Sequence, residues 1–322
     1  MGVSTRQLEP ADAEGLTRCF QRCYGDSYPA RDFYDPEALA RMVGSNRLRS
    51  VIAVADTGEI VGHTGLTVRH PQARVPEAGN TVVDPAYRGS GVLRELGIAL
   101  VERCRKDGFA GFMHYPTTAH EVMQKTSLRF GGVETGVMLA YVPAETQYVE
   151  VEVDQPAGRL AATVVYQPIG TLPEQDVLLP ERYAALLAGL YTSLGAPRGR
   201  GATRKPRERS SVGTTYNAKR SLLHLSVDGI GEDLGTLISE LPAEQAAATL
   251  AHVDLPLGDP GVGPAVDLLV ELGFFYCGLL PGFAAGDVLR LQRLNGEAPS
   301  SYRPDLANES ARRLLDFIKA DR

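Results

Sequence analysis

The residues best suited to chemistry in this chain form a short glycine-containing loop between an apolar strand and a helix. The strand ends at Val83, and the helix is expected to run from Val92 to about Lys106. The loop and the first residues of the helix are Arg88, Gly89, Ser90, Gly91, Val92 and Leu93. Glycines here let backbone N–H groups converge on an anion, and the helix N-terminus adds a positive dipole. The pattern predicts a cradle for the pyrophosphate of a nucleotide-like cofactor.

Two common nucleotide-binding motifs do not match this loop. A Rossmann dinucleotide site needs a third glycine, and Arg94 takes its place here. The loop also follows the fourth predicted strand, whereas the Rossmann loop follows the first. A Walker loop needs Gly-Lys followed by Ser or Thr, which the sequence lacks. The surrounding elements are therefore needed to identify the cofactor.

The first half of the chain carries the pattern of a mixed α/β domain that ends near Pro143. Apolar runs bounded by turn residues predict strands at 4–8, 50–55, 60–68, 81–83, 109–115 and 137–142. Capping residues and apolar spacing predict helices at 10–24, 35–42, 92–106 and 119–128. The turn 56–59 joins the second and third strands into a hairpin.

The second half repeats a similar layout more loosely. Strands are predicted at 160–166, 221–227, 248–255, 274–280 and 288–294, and helices at 180–194, 234–241, 263–272 and 308–320. A helix that ends in glycine precedes a strand in both 130–136 and 272–278, which indicates an internal repeat. We expect two domains, 1–145 and 146–322, with a basic loop at 196–220 that carries a net charge of +7.

The loop motif Val83-x-Pro85-x-Tyr87-Arg88-Gly89-x-Gly91-Val92 resembles motif A of the GNAT N-acetyltransferase superfamily, and the element order of 4–142 fits that fold. The resemblance implies that an acyl-CoA, in the first place acetyl-CoA, lies between the fourth and fifth strands. It implies cofactor contacts at Thr81, Val82, Val83, Arg88, Gly89, Ser90, Gly91, Val92 and Leu93. The family usually has Gly or Ala where Leu93 stands.

The second half resembles a degenerate GNAT unit, because 259–275 is similar to the family's late helix ending in Gly-Phe. The segment 228–233 takes the place of the cofactor loop, but it carries acids and no arginine. Negative charge facing a pyrophosphate is unfavourable. We expect that this unit has lost CoA binding and shapes the acceptor site or mediates dimerisation.

Acyl transfer to an amine needs a base and a group that polarises the thioester, and an acid can reprotonate the thiolate. The predicted catalytic candidates are His114, Tyr115, Glu77 and Ser127, and the histidines 63, 70 and 120 are further ones. Ser127 takes the position where the family often has a tyrosine acid. The acceptor pocket is expected from loops at 24–31 and 70–76.

The resemblance implies an N-acyltransferase in which a small amine attacks acetyl-CoA directly within a ternary complex. Two alternatives stay open. An aminoacyl-tRNA-dependent transferase would use the basic loop 196–220 to contact RNA, and a sensor or scaffold would hold acyl-CoA without turnover. The missing tyrosine at Ser127 favours the sensor.

The composition limits the partners. The net charge of −6 over 322 residues argues against nucleic acid or an anionic membrane as a partner held by bulk charge. No window has the ~18 apolar residues of a membrane span, and the N-terminus lacks a signal-peptide core, so we expect a cytoplasmic protein. Four cysteines without metal-ligand spacing predict buried thiols and no metal site. A homodimer stays open.

Overall fold

A computed structural model describes residues 2–119, 121–144, 158–202, 205, 207–296 and 304–322. The described chain divides into two compact units. The first unit holds residues 2–114 and 168–171, and the second holds 115–144, 158–167 and the described residues from 172 to 322. His120 and Arg204, which the sequence raised as a catalytic candidate and as one of the basic residues, lie outside the described residues.

The first unit is a five-stranded sheet with helices on both faces. Its elements are β1 (Val3–Gln7), α1 (Ala13–Tyr24), α2 (Pro36–Gly44), β2 (Leu48–Ala55), β3 (Ile60–Thr67), β4 (Glu77–Val83), α3 (Val92–Lys106) and β5 (Gly111–His114). The strands lie in the order β1-β2-β3-β4-β5. Neighbours are antiparallel except β4 and β5, which are parallel.

Alternation along β2 builds the two layers of the first unit. Ile52 packs with Leu16 and Phe20 of α1, whereas its neighbour Val51 packs with Leu96 of α3. Successive side chains of a strand point to opposite faces, so a continuous apolar strand must be covered on both sides. The helix α3 is thereby fixed on the sheet directly after the glycine loop.

The second unit contains the remaining elements. They are α4 (Val122–Arg129), β6 (Val133–Val142), β7 (Leu160–Pro168), β8 (Asp176–Val177), α5 (Ala184–Ser193), β9 (Gly199–Arg200), β10 (Ser211–Asn217), β11 (Leu222–Gly229), α6 (Leu234–Ser239), α7 (Ala243–Ala246), β12 (Leu250–Pro256), α8 (Val262–Glu271), β13 (Phe275–Leu280), β14 (Val288–Leu294) and α9 (Glu309–Asp321). Its main sheet has the order β7-β6-β13-β14-β12-β11-β10, and β8 pairs with β9.

The two members of the sequence repeat meet in the sheet of the second unit. Strands β6 and β13 are antiparallel neighbours, and their paired residues are Gly136 and Gly278. These glycines close the repeated segments 130–136 and 272–278. The backbones approach so closely that a Cβ built on Gly136 would lie 2.5 Å from the Cα of Gly278 and still closer to the carbonyl oxygen of Cys277.

The structure confirms the mixed α/β class. A second GNAT-like unit stays a prediction. One expectation about local structure is wrong: the segment 196–220 is not a continuous loop, because Ser211–Asn217 forms β10 and pairs with β11. The residues of β10 alternate only weakly between apolar and polar, and basic residues flank the strand on both sides. The alternation that predicts a strand is therefore hard to see in the sequence. All four cysteines are buried and free.

Candidate functional site

The edge between β4 and β5 is the first feature of the candidate site. The two strands share one residue pair, Glu77 with Met113, and the Met113 N–H donates to the carbonyl of Pro76 over 2.8 Å. Among the described residues, 78–83 pair only with β3. Parallel strands that stop pairing leave backbone donors and acceptors along one edge, where an extended ligand can bind like an added strand.

A bulge lies in the middle of this edge. Between β3 and β4, His63 pairs with Val82 and Gly65 pairs with Gly79. Two residues of β4, Asn80 and Thr81, therefore lie opposite the one residue of β3 that separates His63 from Gly65. Asn80 has a φ of 55°, in the left-handed region that asparagine tolerates better than most residues. A bulge of this kind turns the backbone groups of a strand locally and re-aims them.

The side chain of His63 supports the bulge through hydrogen bonds. Its Nδ1 lies 2.6 Å from the carbonyl oxygen of Asn80, and its Nε2 lies 2.9 Å from the hydroxyl of Ser50. The carbonyl can only accept, so Nδ1 carries the proton and the neutral ring accepts at Nε2 from the hydroxyl. Burial lowers the pKa of His63 to about 4, and the ring stays neutral near pH 7. His63 is therefore a structural support of the bulge.

The buried state of His63 predicts a pH dependence of stability. Because its ordinary pKa is 6.5 and the folded value is about 4, the unfolded chain binds more protons between these values, and the free energy of unfolding falls as the pH drops from 6.5 to 4. The full effect is on the order of 3 kcal/mol. In denaturant titrations across this range, His63→Asn, which keeps an N–H donor near Asn80, should show a shallower pH dependence than the wild type. An unchanged slope would contradict this assignment.

The turn after β4 is anchored by Asp84. Its carboxylate accepts the N–H of Ala86 over 3.0 Å and the Nε–H of Arg22. Arg22 belongs to α1, and its Nη2 donates to the carbonyl of Ile60 on β3 over 2.7 Å. Charge-assisted bonds of this kind are among the stronger ones in proteins. The start of the glycine loop is thus fixed by both a helix and a strand.

The loop itself has the backbone of an anion cradle. Gly89 and Gly91 have φ values of 75° and 90°, and no described atom lies within 4 Å of a Cβ built on either. The Ser90 hydroxyl donates to the carbonyl of Tyr87 over 2.6 Å and tightens the turn. Helix α3 starts directly afterwards, and its second residue, Leu93, is 47% exposed. Open space and a helix N-terminus coincide here, which is the arrangement that binds phosphate groups.

Glu77 lies where β4 and β5 stop pairing. Its carboxylate accepts the Nε–H of Arg69 over 2.7 Å, and the glutamate side chain is 18% exposed. Its place at the end of the pairing keeps Glu77 as a candidate base.

His114 and Tyr115 are neighbours in sequence, but their side chains have different surroundings. The His114 ring packs against Phe112 at 5.7 Å, and its Nε2 is buried without a hydrogen-bond partner among the described residues. Burial lowers the pKa of His114 to about 4. The Tyr115 hydroxyl lies 3.3 Å from Arg290, and its ring lies 5.9 Å from that of Tyr141.

Ser127 uses its hydroxyl within its own helix. The hydroxyl donates to the carbonyl of Met123 over 2.8 Å, and the residue is buried. Of the other histidine candidates, His70 accepts the N–H of Gln72 over 3.1 Å. Because the Ser127 hydroxyl donates one turn back along its own helix, it is poorly placed to protonate a leaving thiolate.

The segment 228–233, which was expected to take the place of a cofactor loop in the second half, has backbone N–H groups that are bonded within the protein. The N–H of Ile230 donates to the carboxylate of Asp259 over 3.2 Å, and the N–H of Gly231 donates to the hydroxyl of Ser210 over 2.9 Å. Strands β11 and β12 stay paired over five residue pairs, in contrast to the single pair of β4 and β5. These contacts give a physical basis for the expected loss of CoA binding.

Some of the arginines in the basic segment 196–220 make contacts within the protein. Arg198 forms a buried ion pair with Asp287, with an N–O distance of 2.7 Å. Arg220 donates to the hydroxyl of Tyr141 over 3.0 Å and lies over its ring. Buried and stacked arginines of this kind are not available to a phosphate backbone, so the charge count of the segment overstates its attraction for RNA.

The described part of the chain offers neither a cluster of metal ligands nor a membrane-spanning helix. It holds no group of three or more His, Cys, Asp or Glu side chains arranged to bind a metal ion. In the same ranges, every helix is too short or too polar to cross a lipid bilayer.

Residues 13–127 match the model of the acetyltransferase (GNAT) family. This match confirms the GNAT fold that was expected for the N-terminal half of the chain. No match to a curated protein was found.

Solved acetyltransferase structures are similar to part of the chain. The ribosomal-protein-S18-alanine N-acetyltransferase of Escherichia coli shares 19% identity over 54% of this chain and 97% of its own, with a TM-score of 0.41. The phosphinothricin acetyltransferase of Sinorhizobium meliloti, in complex with AcCoA, shares 18% identity over 53% of this chain and 90% of its own, also with a TM-score of 0.41. None of these similarities identifies a substrate.

Sequence reasoning missed the residues that shape the edge of β4 and the turn behind it. These are Asn80, Tyr28, Asp84 and Arg22. A Gly-Asn pair inside an apolar strand was a usable signal for the bulge, since both residues tolerate a left-handed backbone. The long-range partners Tyr28 and Arg22 had no local signal in the sequence.

Proposed function

We propose that this protein is an acetyl-CoA-dependent N-acyltransferase that acts on a small amine. The observation that carries the proposal is the unpaired edge of β4, which leads directly into the glycine loop and the N-terminus of α3. The pantetheine arm would bind along 81–83, and the pyrophosphate would bind the N–H groups of 88–93. The family match of 13–127 supports this cofactor.

The chemistry follows from the same edge. An N–H of the bulged part of β4 would donate to the thioester carbonyl and stabilise the oxyanion that forms as the amine attacks. Glu77 would take the ammonium proton, directly or through water. As the tetrahedral intermediate collapses, the C–S bond breaks and the attacking nitrogen gives up its second proton to water. The acyl group is then on nitrogen as an amide, and CoA leaves as the thiolate. Ser127 is not assigned the acid role, because its hydroxyl is bonded to Met123.

A second candidate function is an acyl-CoA sensor without turnover, which the engaged Ser127 hydroxyl favours. Release of free thiol from acetyl-CoA, measured with a panel of primary amines, separates the two functions. The transferase predicts amine-dependent release in which both substrates must be bound together. Saturable acetyl-CoA binding without amine-dependent release would establish the sensor and refute the transferase.

A further inference from the structure

The Tyr28 hydroxyl donates to the side-chain oxygen of Asn80 over 2.8 Å and links two parts of the first unit. Tyr28 lies in the segment between α1 and α2, which is expected to line the acceptor pocket, and Asn80 is the bulge residue of β4. We propose that Tyr28 is a positioning residue for acyl transfer. Its hydrogen bond connects the segment expected to line the acceptor pocket with the strand that would polarise the thioester. The inference rests on the proposed function, because both of these roles belong to acyl transfer.

Asn80 is held from two directions. His63 contacts its backbone carbonyl over 2.6 Å, and Tyr28 contacts its side chain. Its φ of 55° is a conformation that costs energy for residues other than glycine, so the contacts offset that cost and keep the bulge in one geometry. Of the two contacts, that of His63 comes from the sheet and that of Tyr28 comes from the segment between the helices.

Tyr28 in turn is fixed within its own segment. Its ring lies 4.9 Å from that of Phe20 and 4.8 Å from that of Tyr24, measured between centroids. Its backbone N–H donates to the hydroxyl of Tyr34 over 3.1 Å. These contacts span the segment from the end of α1 to the turn before α2, so a displacement of the segment moves the hydroxyl that holds Asn80.

Loss of the hydrogen bond between Tyr28 and Asn80 is expected to lower kcat more than the affinity for acetyl-CoA. CoA is expected to bind mainly through its pyrophosphate and pantetheine, which would contact 81–93 and not Tyr28. The thioester carbonyl needs its N–H donor within a few tenths of an ångström of the productive position. Loosening Asn80 therefore slows the chemical step and leaves the cofactor bound. The hydroxyl of Tyr28 does not touch the reacting atoms in this account.

Three variants test this role in the full chain. Tyr28→Phe removes the donor, and Asn80→Gly keeps a backbone that accepts positive φ but removes the acceptor. We expect each to lower kcat about tenfold, less than the loss of a whole oxyanion donor, with the Kd for acetyl-CoA within twofold of the wild type. The double variant should be no slower than Asn80→Gly alone, because both changes delete one hydrogen bond.

Other results would overturn the inference in distinguishable ways. If the wild type is active and Tyr28→Phe keeps its kcat, or if the two losses multiply in the double variant, Tyr28 is not a positioning residue and the proposed function stands. If Tyr28→Phe weakens acetyl-CoA binding as much as it lowers kcat, its role is structural. If the wild type releases no thiol with any amine, the positioning role falls together with the proposed function.

Discussion

Replacing Gly91 by valine is expected to weaken acetyl-CoA binding roughly 100-fold, which corresponds to about 3 kcal/mol. Gly91 has a φ of 90°, and a β-branched residue is strained there. The new side chain would also fill the open space over the loop, where no described atom lies within 4 Å of a Cβ built on Gly91 and the phosphates would approach. Isothermal calorimetry with acetyl-CoA measures the effect.

The control for this prediction is Gly58→Val. Gly58 has a φ of 84°, lies in the turn between β2 and β3, and has no described atom within 4 Å of a Cβ position. The two variants should lose similar stability from backbone strain, while Gly58→Val keeps the affinity of the wild type. If a folded Gly91→Val binds acetyl-CoA as tightly as the wild type, the glycine loop is not the pyrophosphate cradle.

Replacing Gly136 by alanine is expected to lower the free energy of unfolding by about 3 kcal/mol. The added methyl group would lie 2.5 Å from the Cα of Gly278 and closer still to the carbonyl oxygen of Cys277, and both are backbone atoms. Strands β6 and β13 must separate to admit it, which disturbs the buried core on which α8 and α9 pack. Chemical denaturation followed by circular dichroism measures the loss.

Gly189→Ala is the matched change in the same unit. Gly189 lies inside α5, and no described atom is within 4 Å of a Cβ built on it. Alanine should raise stability there by roughly 0.5–1 kcal/mol, because it loses less backbone freedom in a helix than glycine does. A Gly136→Ala protein that unfolds at the same denaturant concentration as the wild type would show that the two strands do not meet at these glycines.

The parts of the fold that follow from local patterns were predictable. Apolar periodicity and capping residues located β2, β3, α3 and α8 to within a few residues. The glycine loop was recognisable because its backbone conformation is encoded by the glycines themselves. The strand β10 was missed since its alternation is weak and it lies between basic residues.

The candidate site was predictable only where it depends on local sequence. The hydrogen bond from Tyr28 to Asn80 spans 52 positions and that from Arg22 to Asp84 spans 62, and no local signal reveals such pairs. His63 looked like a candidate acid or base from its type, but full burial and two hydrogen bonds give it a structural duty. The use of the Ser127 hydroxyl within α4 likewise depends on its rotamer.

Calorimetric titration of the wild-type chain with acetyl-CoA tests the central claim most directly. We predict saturable binding at one site per chain, because the loop before α3 is open, whereas the N–H groups of Ile230 and Gly231 in the segment 228–233 already donate to Asp259 and Ser210. The dissociation constant should lie between about 1 μM and 1 mM, the range of ordinary enzyme substrates. A titration that shows no saturable binding at millimolar acetyl-CoA would contradict the account.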